Sequence, residues 1–272
     1  MIRMKTIFLL FLIMIALSSC TDFRKIVNSD DYDLKFKLAN ELFDKKKYNK
    51  SILLFEQIYQ NSPKTDQGQV SYYRLAKSYY NLGDFYMAGY YFNSFNQRYP
   101  YSDKIEESLF MVAMCSVKNS PEYQLDQEET NIAINKVQQF INEYPESKLI
   151  DSCNKIIDNL RYKIEIKEFE IVKLYSKTES YKAASAAAKI FLEAYPRSKF
   201  TEEAWYLLIK NSFYLSKNSV NSKKKERFEQ TIERYRNFAS LFSNSSYLLE
   251  LDFVETESQK ELNLLTKSKL EK

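Results

Sequence analysis

Apolar positions along this chain recur at helical spacing, and the recurrences come in pairs separated by short polar breaks. Between Gln69 and Pro100 they fall at Tyr72, Leu75, Ala76 and Tyr79 and then, after Gly83-Asp84, at Phe85, Ala88, Phe92 and Phe95. Steps of three and four place each set on one face of an α-helix, and glycine followed by aspartate marks a turn. The segment therefore predicts two helices folded back on each other. The same pairing is visible at Ala39, Leu42, Tyr48, Ser51, Phe55 and Ile58 ahead of Pro63, and at Val172, Tyr175, Tyr181, Ala184, Ala188 and Phe191 ahead of Pro196.

A recurring phrase punctuates these pairs. Tyr99-Pro100-Tyr101-Ser102, Tyr144-Pro145-Glu146-Ser147 and Tyr195-Pro196-Arg197-Ser198 are three copies of Tyr-Pro-x-Ser; Ser62-Pro63-Lys64-Thr65 and Phe242-Ser243-Asn244-Ser245 are weaker ones. Five residues before each proline position stands an apolar residue: Ile58, Phe95, Phe140, Phe191 and Phe238. Proline cannot continue the helix in front of it, and the Ser or Thr two places on is suited to cap the helix behind. Small Ala76 and Ala88 let the paired helices approach closely.

The second unit resembles the 34-residue tetratricopeptide helix-turn-helix repeat. That resemblance implies an all-α, right-handed superhelix of about five helical hairpins closed by a terminal capping helix. The proline positions 63, 100, 145, 196 and 243 are spaced by 37, 45, 51 and 47 residues, so extra residues must be housed somewhere. Polar Lys118 to Thr130 reads as a longer connection. Leu149 to Ile166 reads as added helix with Ile150, Cys153, Ile156, Ile157 and Leu160 on one face, and Lys217 to Lys225 as a loop. An amphipathic helix from about Tyr247 to Leu265 is expected to cover the end of the stack.

Three residues before each first-helix Ala or its equivalent stands an aromatic residue: Phe36, Tyr73, Phe110, Phe169 and Tyr206. That slot turns toward the concave surface that helical superhelices use for binding, or else packs between neighbouring repeats; the residues leave both open. Phe36, Asn40, Tyr73, Lys77, Tyr80 and Phe110 form the candidate peptide-binding groove. Trp205, Tyr206, Lys210 and Phe213 form a candidate docking surface for a partner.

The first nineteen residues change the picture of where the chain works. Arg3 and Lys5 precede an unbroken apolar stretch, Ile7 to Leu17, and small residues lead directly to Cys20. The run is shorter than a membrane span and has the organisation of a secretory leader. Leu17-Ser18-Ser19-Cys20 resembles the bacterial lipobox, which implies lipidation of Cys20 as the first mature residue. With Thr21 after it, the resemblance is compatible with an outer-membrane destination. Residues 1–19 are thus read as signal peptide and 20–30 as lipidated tether. The segment 31–146 holds repeats one to three, and 147–272 holds repeats four and five with the capping helix.

Composition mostly excludes. Without Arg3 and Lys5, 38 basic residues face 36 acidic ones, a balance that selects no polyanion and so no nucleic acid. With 22 Tyr and 19 Phe against 3 Gly and 5 Pro, the chain has much aromatic core and few turn residues, which disfavours most β architectures. There is no histidine, so His-based acid–base catalysis, Ser-His-Asp and Cys-His nucleophiles and histidine zinc sites are excluded. The scattered glycines give no phosphate-cradling loop. Glu106-Glu107, Glu128-Glu129 and Glu202-Glu203 sit near helix starts, where carboxylates suit the dipole. Neither catalysis, a cofactor nor a metal is expected. Cys115 and Cys153 lie in apolar helical patterns that suit buried thiols, with a disulfide left open. Lys45-Lys46-Lys47 occupies the first turn, and Lys223-Lys224-Lys225 starts a Glu-interleaved helix; both read as solvated faces.

Taken together, Cys20 with its leader, the short tether, five repeats, and Tyr99-Pro100-Tyr101-Ser102 running into Glu107-Ser108-Leu109-Phe110-Met111 resemble the BamD family of tetratricopeptide lipoproteins. The resemblance implies a non-enzymatic, lipid-anchored scaffold on the periplasmic side of the outer membrane. Its first repeats would receive unfolded outer-membrane proteins, and its last repeats would dock the periplasmic domains of a barrel-forming, BamA-like insertase. The residues alone also admit another periplasmic repeat scaffold, for cell-wall synthesis or secretion, or a carbohydrate-binding uptake lipoprotein.

Overall fold

The computed structural model describes residues 23–270, and no strand occurs among them. The leader and Cys20 lie outside the described residues. After a helical turn at 23–27 the helices pair as hairpins: α1 (Tyr32–Asp44) with α2 (Tyr48–Asn61), α3 (Asp66–Leu82) with α4 (Phe85–Arg98), and α5 (Ile105–Asn119) with α6 (Glu128–Glu143). There follow α7 (Ile150–Lys177) and α8 (Tyr181–Ala194), α9 (Thr201–Lys217) and α10 (Asn221–Leu241), and a closing α11 (Leu248–Leu270). The fold is that of tetratricopeptide-type hairpins. The contacts sort it into two compact units that meet in sequence between Leu160 and Arg161, inside α7.

In the first unit, Ala39, Ala76, Ala88, Ala113 and Ala133 are at most 1% exposed. Their small side chains bring helix axes close, and Phe55, Phe92, Phe95 and Phe140 fill the space beside them. In the second unit Phe169, Val172, Ala188, Phe191 and Ala204 form one cluster. Ile209, Phe213, Phe228, Phe238, Leu251 and Val254 form another, so α11 covers the last hairpin as expected.

The punctuation phrase works through its backbone. Ile58, Phe95, Phe140, Phe191 and Phe238 are all buried, and each carbonyl accepts the N–H of the residue four further on, the last bond of its helix. In four hairpins a ring then folds back on it: Phe95–Tyr99, Phe140–Tyr144, Phe191–Tyr195 and Phe238–Phe242, with centroids 5.1–5.6 Å apart. The expected cap forms at Thr65, whereas α5 and α9 start without a side-chain cap bond. Thr65 Oγ1 accepts from the Gly68 N–H inside α3. Ser102, Ser147, Ser198 and Ser245 instead accept from the N–H of Lys104, Leu149, Phe200 and Tyr247, the residue just before the next helix. These four links, 99–104, 144–149, 195–200 and 242–247, are therefore all six residues long. Three of the serines are also tied back to their own hairpin: Ser102 Oγ accepts from Gln69 at 2.7 Å, while Ser147 Oγ donates to Glu106 at 2.6 Å and Ser198 Oγ to Glu165 at 2.5 Å.

Length variation sits in the helices and the turns within hairpins. The added helix of the fourth hairpin is real, since α7 runs unbroken for 28 residues with Cys153, Ile157 and Leu160 buried. The connection of the third hairpin is 120–127. The loop expected at Lys217–Lys225 shrinks to 218–220, because α10 already begins at Asn221 and takes in the three lysines. Lysine, glutamate and arginine favour helix there, and Arg227 pins the remaining loop by donating to Ser219. Three hairpin turns need a left-handed residue, filled by Lys46 (φ 59°), Gly83 (φ 83°) and Glu179 (φ 54°). Cys115 and Cys153 are buried free thiols, and burial pushes Cys115 up to about 12.

Two glycines are predicted to respond differently to alanine. A Cβ on Gly68 would stand 2.1 Å from the Ser62 carbonyl oxygen, whereas one on Gly83 meets nothing within 4 Å. Gly68→Ala should therefore cost about 3 kcal/mol by forcing the chain apart, and Gly83→Ala about 1 kcal/mol for its left-handed backbone alone. Urea unfolding followed by circular dichroism ranks the two.

Candidate peptide-binding groove

The aromatic slot resolves in favour of packing. Tyr73 lies 5.4 Å from Phe95, Phe110 5.4 Å from Phe140 and Phe169 5.3 Å from Phe191, each ring of a first helix meeting the buried ring of its partner helix. What the slot exposes is a lysine one turn on. Lys77 stands over the Tyr73 ring at 5.5 Å, Lys173 over Phe169 at 5.7 Å and Lys210 over Tyr206 at 5.2 Å. Each of these ammonium groups also meets a carboxylate: Glu107 at 2.9 Å, Glu170 at 2.8 Å and Glu250 at 2.9 Å. A cation held over a ring face gains from the ring quadrupole.

In the first unit this arrangement lines a cavity of about 390 Å³ between α3 and the start of α5. Tyr73 supplies the floor, with Phe43, Val70 and Phe95, while Arg74, Lys77, Lys104 and Glu107 supply charge. Of the six residues the sequence nominates, Tyr73 and Lys77 line it. Tyr73 is 7% exposed and supports the groove from beneath. Its hydroxyl is buried beside the Glu107 carboxylate, and burial, with that carboxylate, raises its pKa well above the tyrosine range. Phe110 is turned onto Phe140, and Tyr80 rests edge-on against Phe85 at 5.2 Å near the hairpin turn. Phe36 packs on the core of the first hairpin, and half-buried Asn40 has a buried, unpartnered Oδ1.

Glu107 and Lys104 escape a reading of the sequence because Glu106-Glu107 has the form of dipole compensation. The two in fact diverge, Glu106 accepting from Ser147 and Glu107 from Lys77. For Glu107, burial pulls the carboxyl upward, but the Tyr73 hydroxyl and the Lys77 and Lys104 charges outweigh it and leave the pKa lowered.

In the second unit, the four residues nominated for docking separate. Trp205 lines a cavity of about 620 Å³ between α8, α9 and α10, with Leu192, Pro196, Leu208 and Phe242 as apolar walls and Arg234 at its side. Phe213 is 4% exposed, in the core beside Phe228, and is no surface residue. Tyr206 and Lys210 are occupied internally. Tyr206 stacks on Tyr247 at 4.3 Å and donates to Glu250 at 2.8 Å, and Lys210 donates to the Tyr206 oxygen and pairs with Glu250. The triangle clasps α11 to α9.

Burial opposes the charge on Glu250, yet the Lys210 and Tyr206 contacts prevail and lower its pKa; the same contacts raise Lys210. A lowered carboxyl stabilises the fold fully above its unfolded value of about 4.3 and loses that contribution as pH falls through the folded value. A raised lysine behaves oppositely, fading only as pH rises past about 10.4. The clasp is thus predicted to be complete between those limits and to loosen in acid. Glu250→Gln should flatten the acid limb of an unfolding-midpoint-versus-pH curve while leaving the neutral plateau of helicity in place.

A model of the family described as "YfiO: Outer membrane lipoprotein" matches residues 30–188. No curated protein matches. Among solved structures, a thermophilic TPR protein of Thermus thermophilus is 15% identical, with a TM-score of 0.32 over 84% of this chain and 98% of its own. A putative kinesin light chain with nearly identical TPR-like repeats, from Podosopora anserina, is 12% identical, with a TM-score of 0.32 over 78% of this chain and 97% of its own.

Proposed function

This chain belongs to the YfiO family of outer membrane lipoproteins, and from that premise we propose that it is a non-enzymatic scaffold that helps β-barrel proteins assemble into that membrane. Acylated Cys20 holds it at the periplasmic face. The first repeats, 31–146, receive unfolded barrel strands, and the later ones, 147–272, dock the periplasmic domains of a barrel-forming insertase. Among the described residues no helix is long and apolar enough to cross a membrane.

The observation that carries the substrate reading is the groove of about 390 Å³, lined by Tyr73 and Phe95, with Lys77 over the Tyr73 ring and paired with Glu107. An extended strand alternates its side chains, so apolar ones can settle against the rings. The charged pair then offers one donor and one acceptor to the strand backbone, which every sequence carries. Such a site accepts many strands without demanding one sequence. For the docking end, the cavity of about 620 Å³ beside Trp205 offers apolar walls, Leu192, Pro196, Leu208 and Phe242, against which an aromatic anchor of the partner can be buried.

A photo-crosslinking residue in place of Gln69, on the groove wall, is expected to capture barrel-derived peptides. The double change Lys77→Ala with Glu107→Ala should reduce capture several-fold with helicity intact, and unchanged capture would remove the groove. Trp205→Ala should lower recovery of the insertase from detergent-solubilised membranes. Recovery of cell-wall enzymes in place of the insertase would favour the other periplasmic scaffold.

A further inference from the structure

The first hairpin is electrically polar along its length. At the α1–α2 turn stand Lys45, Lys46 and Lys47, all exposed, with Lys50 one turn into α2. At the opposite end are Asp30, Asp31 and Asp33; Asp31 caps α1 by accepting from the Leu34 N–H, and Asp33 accepts from Gln67. The described chain enters at the basic end, because Lys50 Nζ sits over the Phe23 ring at 4.9 Å and Phe23 packs on the hairpin core. Exposed Arg24 follows it. Five cations thus gather there, against Glu41, 3.7 Å from Lys45, and Asp44, 3.5 Å from Arg74.

Phe23 is three residues after Cys20, so covalent geometry alone keeps the two within about 11 Å. A lipid at Cys20 therefore holds this basic corner within roughly one Debye length of the bilayer surface. Local stability does not account for all three lysines. Lys45 has its Glu41 partner, but Lys46 occupies a left-handed position, φ 59°, where glycine is the unstrained choice and the second hairpin uses Gly83.

We propose that the corner formed by Arg24 and Lys45, Lys46, Lys47 and Lys50 is a second, electrostatic contact with the membrane, seated on the phosphates of anionic lipid headgroups. This rests on the lipid anchor at Cys20 and deepens it: the acyl chains hold the protein at the bilayer, and the basic corner fixes which end of the first hairpin faces it. The acidic end is thereby turned away. Each lysine near an anionic surface adds an attraction of about 1 kcal/mol, and acylation combined with a basic patch anchors more firmly than a single signal.

The test uses the full mature chain with Cys20→Ser, which isolates the patch from the acyl chains. Sedimentation with phosphatidylcholine vesicles, with and without phosphatidylglycerol, should show binding only to the anionic ones, lost on raising salt from about 0.1 M to about 0.5 M. Replacing Lys45, Lys46, Lys47 and Lys50 by Gln should weaken that binding at least about tenfold, and Arg at the same positions should restore it. Circular dichroism confirms that helicity is unchanged. Equal binding by the Gln variant, binding to neutral vesicles, or no binding to either overturns the proposal. The mass of the native mature amino terminus reports the anchor separately. Unmodified Cys20 with vesicle binding removes the anchor and leaves the corner standing; acylated Cys20 without vesicle binding does the reverse.

Discussion

Everything in this fold leans on the apolar residue five places before each proline position, an aromatic ring in four of the five hairpins. Phe95, Phe140, Phe191 and Phe238 are fully or almost fully buried. Each closes its own helix through its carbonyl and receives an aromatic from the phrase that follows. In the second, third and fourth hairpins it also receives a ring from the first helix. Burial of a phenylalanine side chain gives about 1.5–3 kcal/mol, and here the same residue also fixes where the helix stops.

Because first-helix rings are spent on this packing, the groups left at the surface are those above them. The ring face attracts the lysine one turn on, and the lysine also pairs with a carboxylate from the same or a following helix. In the first unit that stack borders an open cavity; in the last hairpin the same stack is closed by Glu250 and Tyr247. One motif thereby has two settings, bordering an open cavity at Lys77 and securing the terminal helix at Lys210.

The hairpins, their order and their closing rings are legible in the sequence because proline and Tyr-Pro-x-Ser repeat at fixed distance from the apolar positions. Lys77–Glu107 and Tyr206–Glu250 are not. Their partners are 30 and 44 residues apart, and nothing local marks an ion pair or hydrogen bond formed across helices. The aromatic slot is visible, but its direction is not: a ring at helical spacing faces a groove or a neighbour according to how the hairpin closes. Phe213 shows the same limit, since much of its cover comes from Phe228 and α11, distant along the chain. The loop before α10 is shorter than its asparagines and serines suggest, because the helix-forming lysines after them outweigh those turn residues.

The six-residue links have a consequence for how such chains lengthen. Apart from the four-residue link 62–65, the links that follow the second to fifth hairpins share one length while the spans inside hairpins differ, so from the second hairpin on the register behaves as a fixed ruler and the hairpin tips as free margin. New sequence enters most cheaply at tips such as 120–127, where a grafted reporter or affinity peptide leaves every junction undisturbed.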